Sequence, residues 1–219
     1  MQLFIDKRYI DEDCNFLHQN LKEEETFVDL GANIGTWSLM ACQIVGPKGK
    51  VIGFEPHPLT YKFYSENIQL NKFEKIATAY NVALGDTTGM VKFSSIFDDM
   101  NKVVTDDSNS ISVSQNLLDD FTADLKSIDL MKIDIEGYEL MALKGAKETL
   151  LKTNKVYFES SEILQKPFNY TAGDLIQFFN NHHFQVFNPA DLSKPLDENY
   201  QSAEHENLLA IRSSPVNHS

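Results

Sequence analysis

Cysteine is scarce in this 219-residue chain: Cys14 and Cys42 have no CxxC spacing and no histidine cluster beside them. That excludes a disulfide framework and a zinc site, and leaves both thiols as small apolar fillers. Long hydrophobic runs are missing too. No stretch of 18 apolar residues occurs, and the N-terminal MQLFIDKRYIDEDC lacks a basic region followed by an apolar one. Neither a membrane span nor a secretory leader is expected, and the default is a cytoplasmic protein. In that setting the N-x-[ST] triplets at Asn169 and Asn217 are chance matches. Positive charge is short as well: 19 Lys and Arg against 32 Asp and Glu give a formal charge of −13. The resulting field repels phosphate backbones and anionic lipid, so neither nucleic acid nor a membrane is an expected partner.

What is present suits one globular α/β domain, with 42% apolar and 23% charged residues and no internal repeat. Phe27-Val28-Asp29-Leu30 is a short apolar run ended by Gly31, and Thr36 to Val45 carries apolar residues at helical spacing. The unit repeats with a strand at Val51–Phe54 and a helix from Leu59 to Leu70. Further strands are expected at Ile76–Val82, Ile128–Ile133, Val156–Phe158, Phe184–Phe187 and Asn207–Ile211. A helix is expected over Tyr138–Leu151, and another to about Asn181 opens at the capping-box spacing Thr171-Ala-Gly-Asp174. Alternation of this kind predicts a parallel sheet with helices on both faces, and ligands bound beyond the carboxyl ends of its strands. Residues 1–25 read as an acidic helical arm, including the solvated run Glu23-Glu24-Glu25. Residues 94–127 read as a polar insertion, 188–206 as a long connection and 213–219 as a tail. Connections of such length serve as lids or substrate-binding loops, or are plain linker. The 23 Phe and Tyr residues are read as core.

The strongest chemical signal is Asp29-Leu30-Gly31-Ala32-Asn33-Ile34-Gly35-Thr36-Trp37 at the first strand-to-helix turn. Its glycines permit a tight turn under a ligand, and the helix start offers free N–H groups. The spacing is G-x-N-x-G, whereas a dinucleotide fingerprint is G-x-G-x-x-G with the helix aimed at pyrophosphate. Asp29 would welcome a cofactor's amino group and repel a pyrophosphate, which favours S-adenosyl-methionine over NAD. Glu55, 24 residues after Gly31, is placed to accept hydrogen bonds from ribose hydroxyls of either cofactor.

Five ordered blocks carry a resemblance: Phe27–Trp37, Gly53-Phe-Glu-Pro-His-Pro58, Asn81-Val-Ala-Leu-Gly85, Leu130–Glu139 and Glu206–Ile211. Together they resemble the successive blocks of the FkbM-type methyltransferases over roughly residues 26–212. The resemblance implies a Rossmann-like class I methyltransferase domain: α/β, with a seven-stranded, mostly parallel sheet and its last strand antiparallel. It further implies S-adenosyl-methionine as cofactor and O-methylation of a small, sugar-containing acceptor. Carried over by position, Asp29, Gly31, Asn33 and Gly35 would surround the methionine part, and Ala32, Thr36 and Pro56 would also belong to the cofactor site. Glu55 would hold the ribose, and the backbone around Val82 and Ala83 would flank the adenine. The family's Thr-Leu-Asp block is replaced here by Asn116-Leu117-Leu118-Asp119.

A second chemical cluster is Lys132-Ile133-Asp134-Ile135-Glu136-Gly137, with Glu159 expected next door. Residues two apart on a strand share a face, so Asp134 points at the reaction centre with Lys132 one step back. One reading makes Asp134 or Glu136 a general base for the acceptor hydroxyl. Another has Asp134, Glu136 and Glu159 hold a magnesium-like ion that acidifies it. A third has these carboxylates merely pair with Lys132 or cap a helix. His57 and His183 read as surface or helix-end residues. A catalytically silent S-adenosyl-methionine-binding protein and an NAD-dependent oxidoreductase are the alternative functions. Oligomeric state is not legible.

Overall fold

Short runs of Val, Ile, Leu and Phe bounded by glycine and proline build the strands, and the windows of helical period between them supply the helices. The computed structural model describes residues 3, 12–94, 102–103, 110–214 and 216, with side chains of 12–14 left out. The Cys14 side chain, the Asn217 triplet and parts of segments 1–25, 94–127 and 213–219 therefore lie outside the described residues. In chain order the elements are α1 (Glu12–Asn20), β1 (Thr26–Leu30), α2 (Thr36–Val45), β2 (Lys50–Phe54), α3 (Pro58–Leu70), β3 (Ala77–Tyr80), β4 (Ala83–Leu84), β5 (Gly89–Ser94) and β6 (Ser110–Asn116). There follow α4 (Asp119–Thr122), β7 (Ile128–Ile133), α5 (Glu139–Lys144), α6 (Lys147–Leu151), β8 (Thr153–Ser160), α7 (Glu162–Gln165), α8 (Ala172–Asn181), β9 (Phe184–Phe187) and β10 (Glu206–Arg212).

Seven strands form one sheet in the order β3-β2-β1-β7-β8-β10-β9. β10 runs antiparallel to both of its neighbours, and the other pairings are parallel. All six residues of β7 are buried, as expected of a central strand covered on both faces. Successive residues of β1 enter opposite layers. Phe27 belongs to the core layer that holds Leu17, Leu39, Tyr64 and Leu130, whereas Val28 and Leu30 belong to the one that holds Ile52, Met131, Phe158 and Phe179. The registers Leu30↔Phe54, Leu30↔Ile133 and Ile133↔Phe158 bring the carboxyl tips of four strands to one edge.

Several boundaries differ from the expected ones, each for a local reason. The third strand stops at Tyr80, because the chain leaves the main sheet there and enters a second, three-stranded sheet ordered β4-β6-β5. Part of the 94–127 insertion is therefore strand: β6 pairs with β5 from Gly89↔Gln115 to Ser94↔Ser110. The helix expected over Tyr138–Leu151 breaks into α5 and α6 at Gly145-Ala146. Asp119 accepts the N–H groups of Glu148 and Thr149 and starts the second piece afresh. The fifth strand is longer than its apolar core and runs to Ser160. In the N-terminal segment, Leu17 and Leu21 are buried against the sheet. The capping box of α8 forms as its spacing requires, with Thr171 and Asp174 exchanging hydrogen bonds. Among the described residues no helix is long and apolar enough to cross a membrane.

Candidate functional site

The turn after β1 is built from three residues at positive φ, Gly31 (79°), Asn33 (51°) and Gly35 (95°). The N–H groups of Gly31 and Ala32 both donate to the Phe54 carbonyl, 3.1 and 2.9 Å away, which ties the turn to the tip of β2. A Cβ on Gly31 would lie 1.8 Å from the Asp134 carbonyl oxygen, so the turn is pressed directly against the tip of β7. Gly35 precedes α2 without any side-chain cap, leaving the helix start to other partners.

Glu55 is buried, with 6% of its surface exposed. One carboxylate oxygen accepts the Asn33 N–H at 3.1 Å and the other accepts the His57 N–H at 2.8 Å. The carboxylate thus clips the first two strand-to-helix turns together, and each oxygen keeps a further lone pair. Burial pushes its pKa up to about 7, against these two hydrogen bonds. Asn81 donates to the carbonyls of Glu55 and Pro56 at 2.8 and 2.9 Å and fixes the peptide beneath them. Val82 and Ala83, beside it, are buried.

Asp29 lies beneath this turn with 0% of its surface exposed. Ser38 donates to it at 2.7 Å, Tyr64 donates to Ser38 at 2.7 Å, and the Lys132 ammonium stands 3.8 Å from its other oxygen. Burial raises its pKa, with Lys132 as the chief opposing influence. Asp29 is thus buried beneath the turn, and its second oxygen, the one facing Lys132, has no hydrogen-bond partner among the described residues. Lys132, itself buried, reaches Asp134 at 3.1 Å, and its ammonium lies 5.7 Å from the Trp37 ring centre.

At the tips of β7 and β8, ligand oxygens of Asp134, Glu136 and Glu159 all lie within 4.8 Å of one another. Burial and then the neighbouring Glu159 and Asp134 push Glu136 up to about 7. Burial and Asp134 raise Glu159, whose other contact is His205 at 3.2 Å. The loop under them is held by Glu139, which accepts the N–H groups of Ile135 and Gly137 and the Tyr170 hydroxyl. His57 is buried near the turn, and burial lowers its pKa. His183 occupies a positive-φ turn before β9.

The sequence reading thus named residues that the fold gathers into one region. It gave no site role to Glu139, His205, Asn81, Ser38 or Tyr64. Glu139 stood two residues after a turn glycine, a visible signal for a carboxylate that gathers loop N–H groups. His205 reaches the site only through the antiparallel pairing of β10 with β8, which no local pattern reveals.

This strand order, with β10 inserted antiparallel beside β8, defines a class I methyltransferase fold. Among solved structures it resembles an S-adenosyl-methionine-dependent O-methyltransferase from Thermotoga maritima, with a TM-score of 0.54 at 14% identity over 98% of this chain and 69% of that one. The chain belongs to the FkbM methyltransferase domain family, which it matches over residues 29–186. A 2-O-methyltransferase, NoeI, of Sinorhizobium fredii is 29% identical over 162 residues, 64% of this chain and 65% of that one. A hexuronic acid methyltransferase, AglP, of Haloferax volcanii is 31% identical over 147 residues, 65% of this chain and 59% of that one. The matches thus span less than two thirds of either relative's length. The family match sets the nicotinamide alternative aside.

Proposed function

We propose that the protein transfers the methyl group of S-adenosyl-methionine to a hydroxyl oxygen of a sugar or sugar-containing small molecule. The observation that carries this reading is the carboxylate trio beside the glycine turn, with Glu136 titrating near neutral pH. The residues of the turn suit the cofactor: an uncapped helix start, a glycine cradle, and a buried Glu55 with acceptor capacity left for ribose hydroxyls. The backbone around the buried Val82 and Ala83 would flank an adenine. When bound, S-adenosyl-methionine supplies an activated methyl on a sulfonium and leaves as S-adenosyl-homocysteine. Glu136 takes the acceptor hydroxyl's proton, and Asp134 and Glu159 add the negative potential that makes it basic. Lys132 fixes Asp134 from below. Alignment of the two reactants away from bulk water supplies much of the rate.

A magnesium ion held by Asp134, Glu136 and Glu159 is the second reading, favoured by their mutual reach. The test begins with calorimetric titration of S-adenosyl-methionine and S-adenosyl-homocysteine on wild type and Glu55→Ala, expecting binding that weakens in the variant. Labelled-methyl transfer to sugar panels follows, with and without excess chelator. Full activity in chelator removes the metal. Cofactor binding with no transfer to any hydroxyl acceptor would support the catalytically silent relative instead.

A further inference from the structure

A polar cleft of about 670 Å³ lies between α7, the start of α8 and the 198–202 segment, and the reading of the protein as a sugar O-methyltransferase does not yet use it. Its walls include Glu162, Thr171, Glu198, Asn199, Gln201 and Ser202. The walls are fixed by packing and hydrogen bonds. A Cβ on Gly173 would stand 2.1 Å from the Glu198 carbonyl oxygen, so the start of α8 is pressed against the segment. The Tyr200 hydroxyl donates to both oxygens of Glu206, at 3.0 and 2.9 Å, and Glu206 also accepts the Ala203 N–H at 2.9 Å. Ser161 donates to the Glu204 carbonyl, and the hydroxyls of Ser160 and Ser202 are bonded to each other. Ser160 follows Glu159 on β8, and His205, three residues beyond Ser202, reaches Glu159 at 3.2 Å. The segment that forms one wall of the cleft is therefore tied to a member of the trio and to the two residues that follow it.

Hydroxyls, carboxamides and carboxylates are the partners a hydroxyl-rich ligand needs, and the volume lies within the range of small-molecule sites. The charge is one-sided: Glu162 and Glu198 line the cleft, and among the described residues no Lys or Arg does. The sequence has two arginines, the side chain best suited to a ligand carboxylate. Arg8 lies outside the described residues. Arg212 donates to the carbonyls of Thr153 and Leu150, at the end of β8 opposite its tip. In the stretch 95–109, Asp98, Asp99, Asp106 and Asp107 stand against Lys102 alone.

We infer that this cleft holds a second sugar ring of the acceptor and selects neutral or amino-bearing rings over uronic acids. The inference rests on the proposed sugar O-methylation and goes beyond it in naming where the acceptor extends and what charge it carries. It also sets this chain apart from the relative named for hexuronic acid.

The test is heteronuclear NMR on the full chain saturated with S-adenosyl-homocysteine, titrated with cellobiose, the glucosamine disaccharide and digalacturonate. Shifts at the Thr171, Asn199 and Gln201 amides are expected with the first two, and affinity about tenfold weaker with digalacturonate. The double variant Glu162→Lys, Glu198→Lys should reverse that order while keeping the shifts that S-adenosyl-homocysteine induces at Gly31–Thr36, which report that it folds. Turn shifts with no cleft shifts from any disaccharide would overturn the subsite alone. Digalacturonate binding as tightly as cellobiose would overturn the charge selection. A wild type whose glycine turn ignores S-adenosyl-homocysteine would overturn the methyltransferase reading itself, and the acceptor assignment with it.

Discussion

Glu136 combines two costs in one residue, a φ of 56° and a half-buried carboxylate among like charges. A non-glycine residue in the left-handed region carries about 1–2 kcal/mol of steric cost, so the fold must hold it there by other contacts. Those contacts are Glu139 and Tyr170 beneath the loop. If Glu136 is the base, the Glu136→Gln variant should lose about 100-fold in kcat with cofactor affinity retained. Its pKa of about 7 sets the sign of the pH profile: the proton-accepting form grows as pH rises, so kcat/KM should climb between about pH 6 and pH 8 and flatten in the variant. A profile unchanged by the substitution would move the role to Asp134. Lys132 is the other decisive residue. Its ammonium is the buried counterion shared by Asp29 and Asp134, and Lys132→Met should cost about 3 kcal/mol in denaturant unfolding. A variant as stable as wild type would mean that Asp29 is neutral in the native protein.

At the scale of elements, the turn between β1 and α2 tolerates no side chain at its first glycine. Gly31→Ala combines the 1.8 Å approach to the Asp134 carbonyl with a φ of 79°, and should cost about 3 kcal/mol and abolish cofactor binding in calorimetry. By contrast Thr171→Ala removes one arm of the capping box of α8 and should cost only about 1 kcal/mol in thermal unfolding. Both features were legible in the sequence, because glycine turns and capping boxes are written in consecutive residues. So were the seven main strands, whose apolar runs need no distant partner to be seen. The second sheet was not, since β4 has only two residues and β6 looks polar until its pairing with β5 buries Val113 and Gln115. The break at Gly145 was hidden for the same reason. A Cβ there would meet the Gly85 carbonyl at 2.0 Å, a neighbour 60 residues away. In the site, the strand-tip residues were readable and the cross-strand ones, His205 above all, were not.

At the scale of the whole molecule, three buried or half-buried carboxylates among the described residues, Glu55, Glu136 and Glu139, have pKa values raised from 4.5 to about 7. Between those values the native state keeps protons that the unfolded chain has released, so stability should fall as pH rises through that window. Melting temperatures at about pH 5 should exceed those at about pH 8. Added salt should raise both by screening the −13 charge, without removing the difference, because buried groups are screened little. A difference that vanishes in salt would place its origin in the surface charge instead. The contact between Gly31 and Asp134 also has a kinetic meaning. Its two residues are 103 positions apart, and β7 must be inserted between β1 and β8 before they touch. A nascent chain can pair β1, β2 and β3 early, yet its glycine turn has nothing to lean on until the second half has been synthesised. The turn therefore reaches its final form late in folding, only once β7 is seated between β1 and β8.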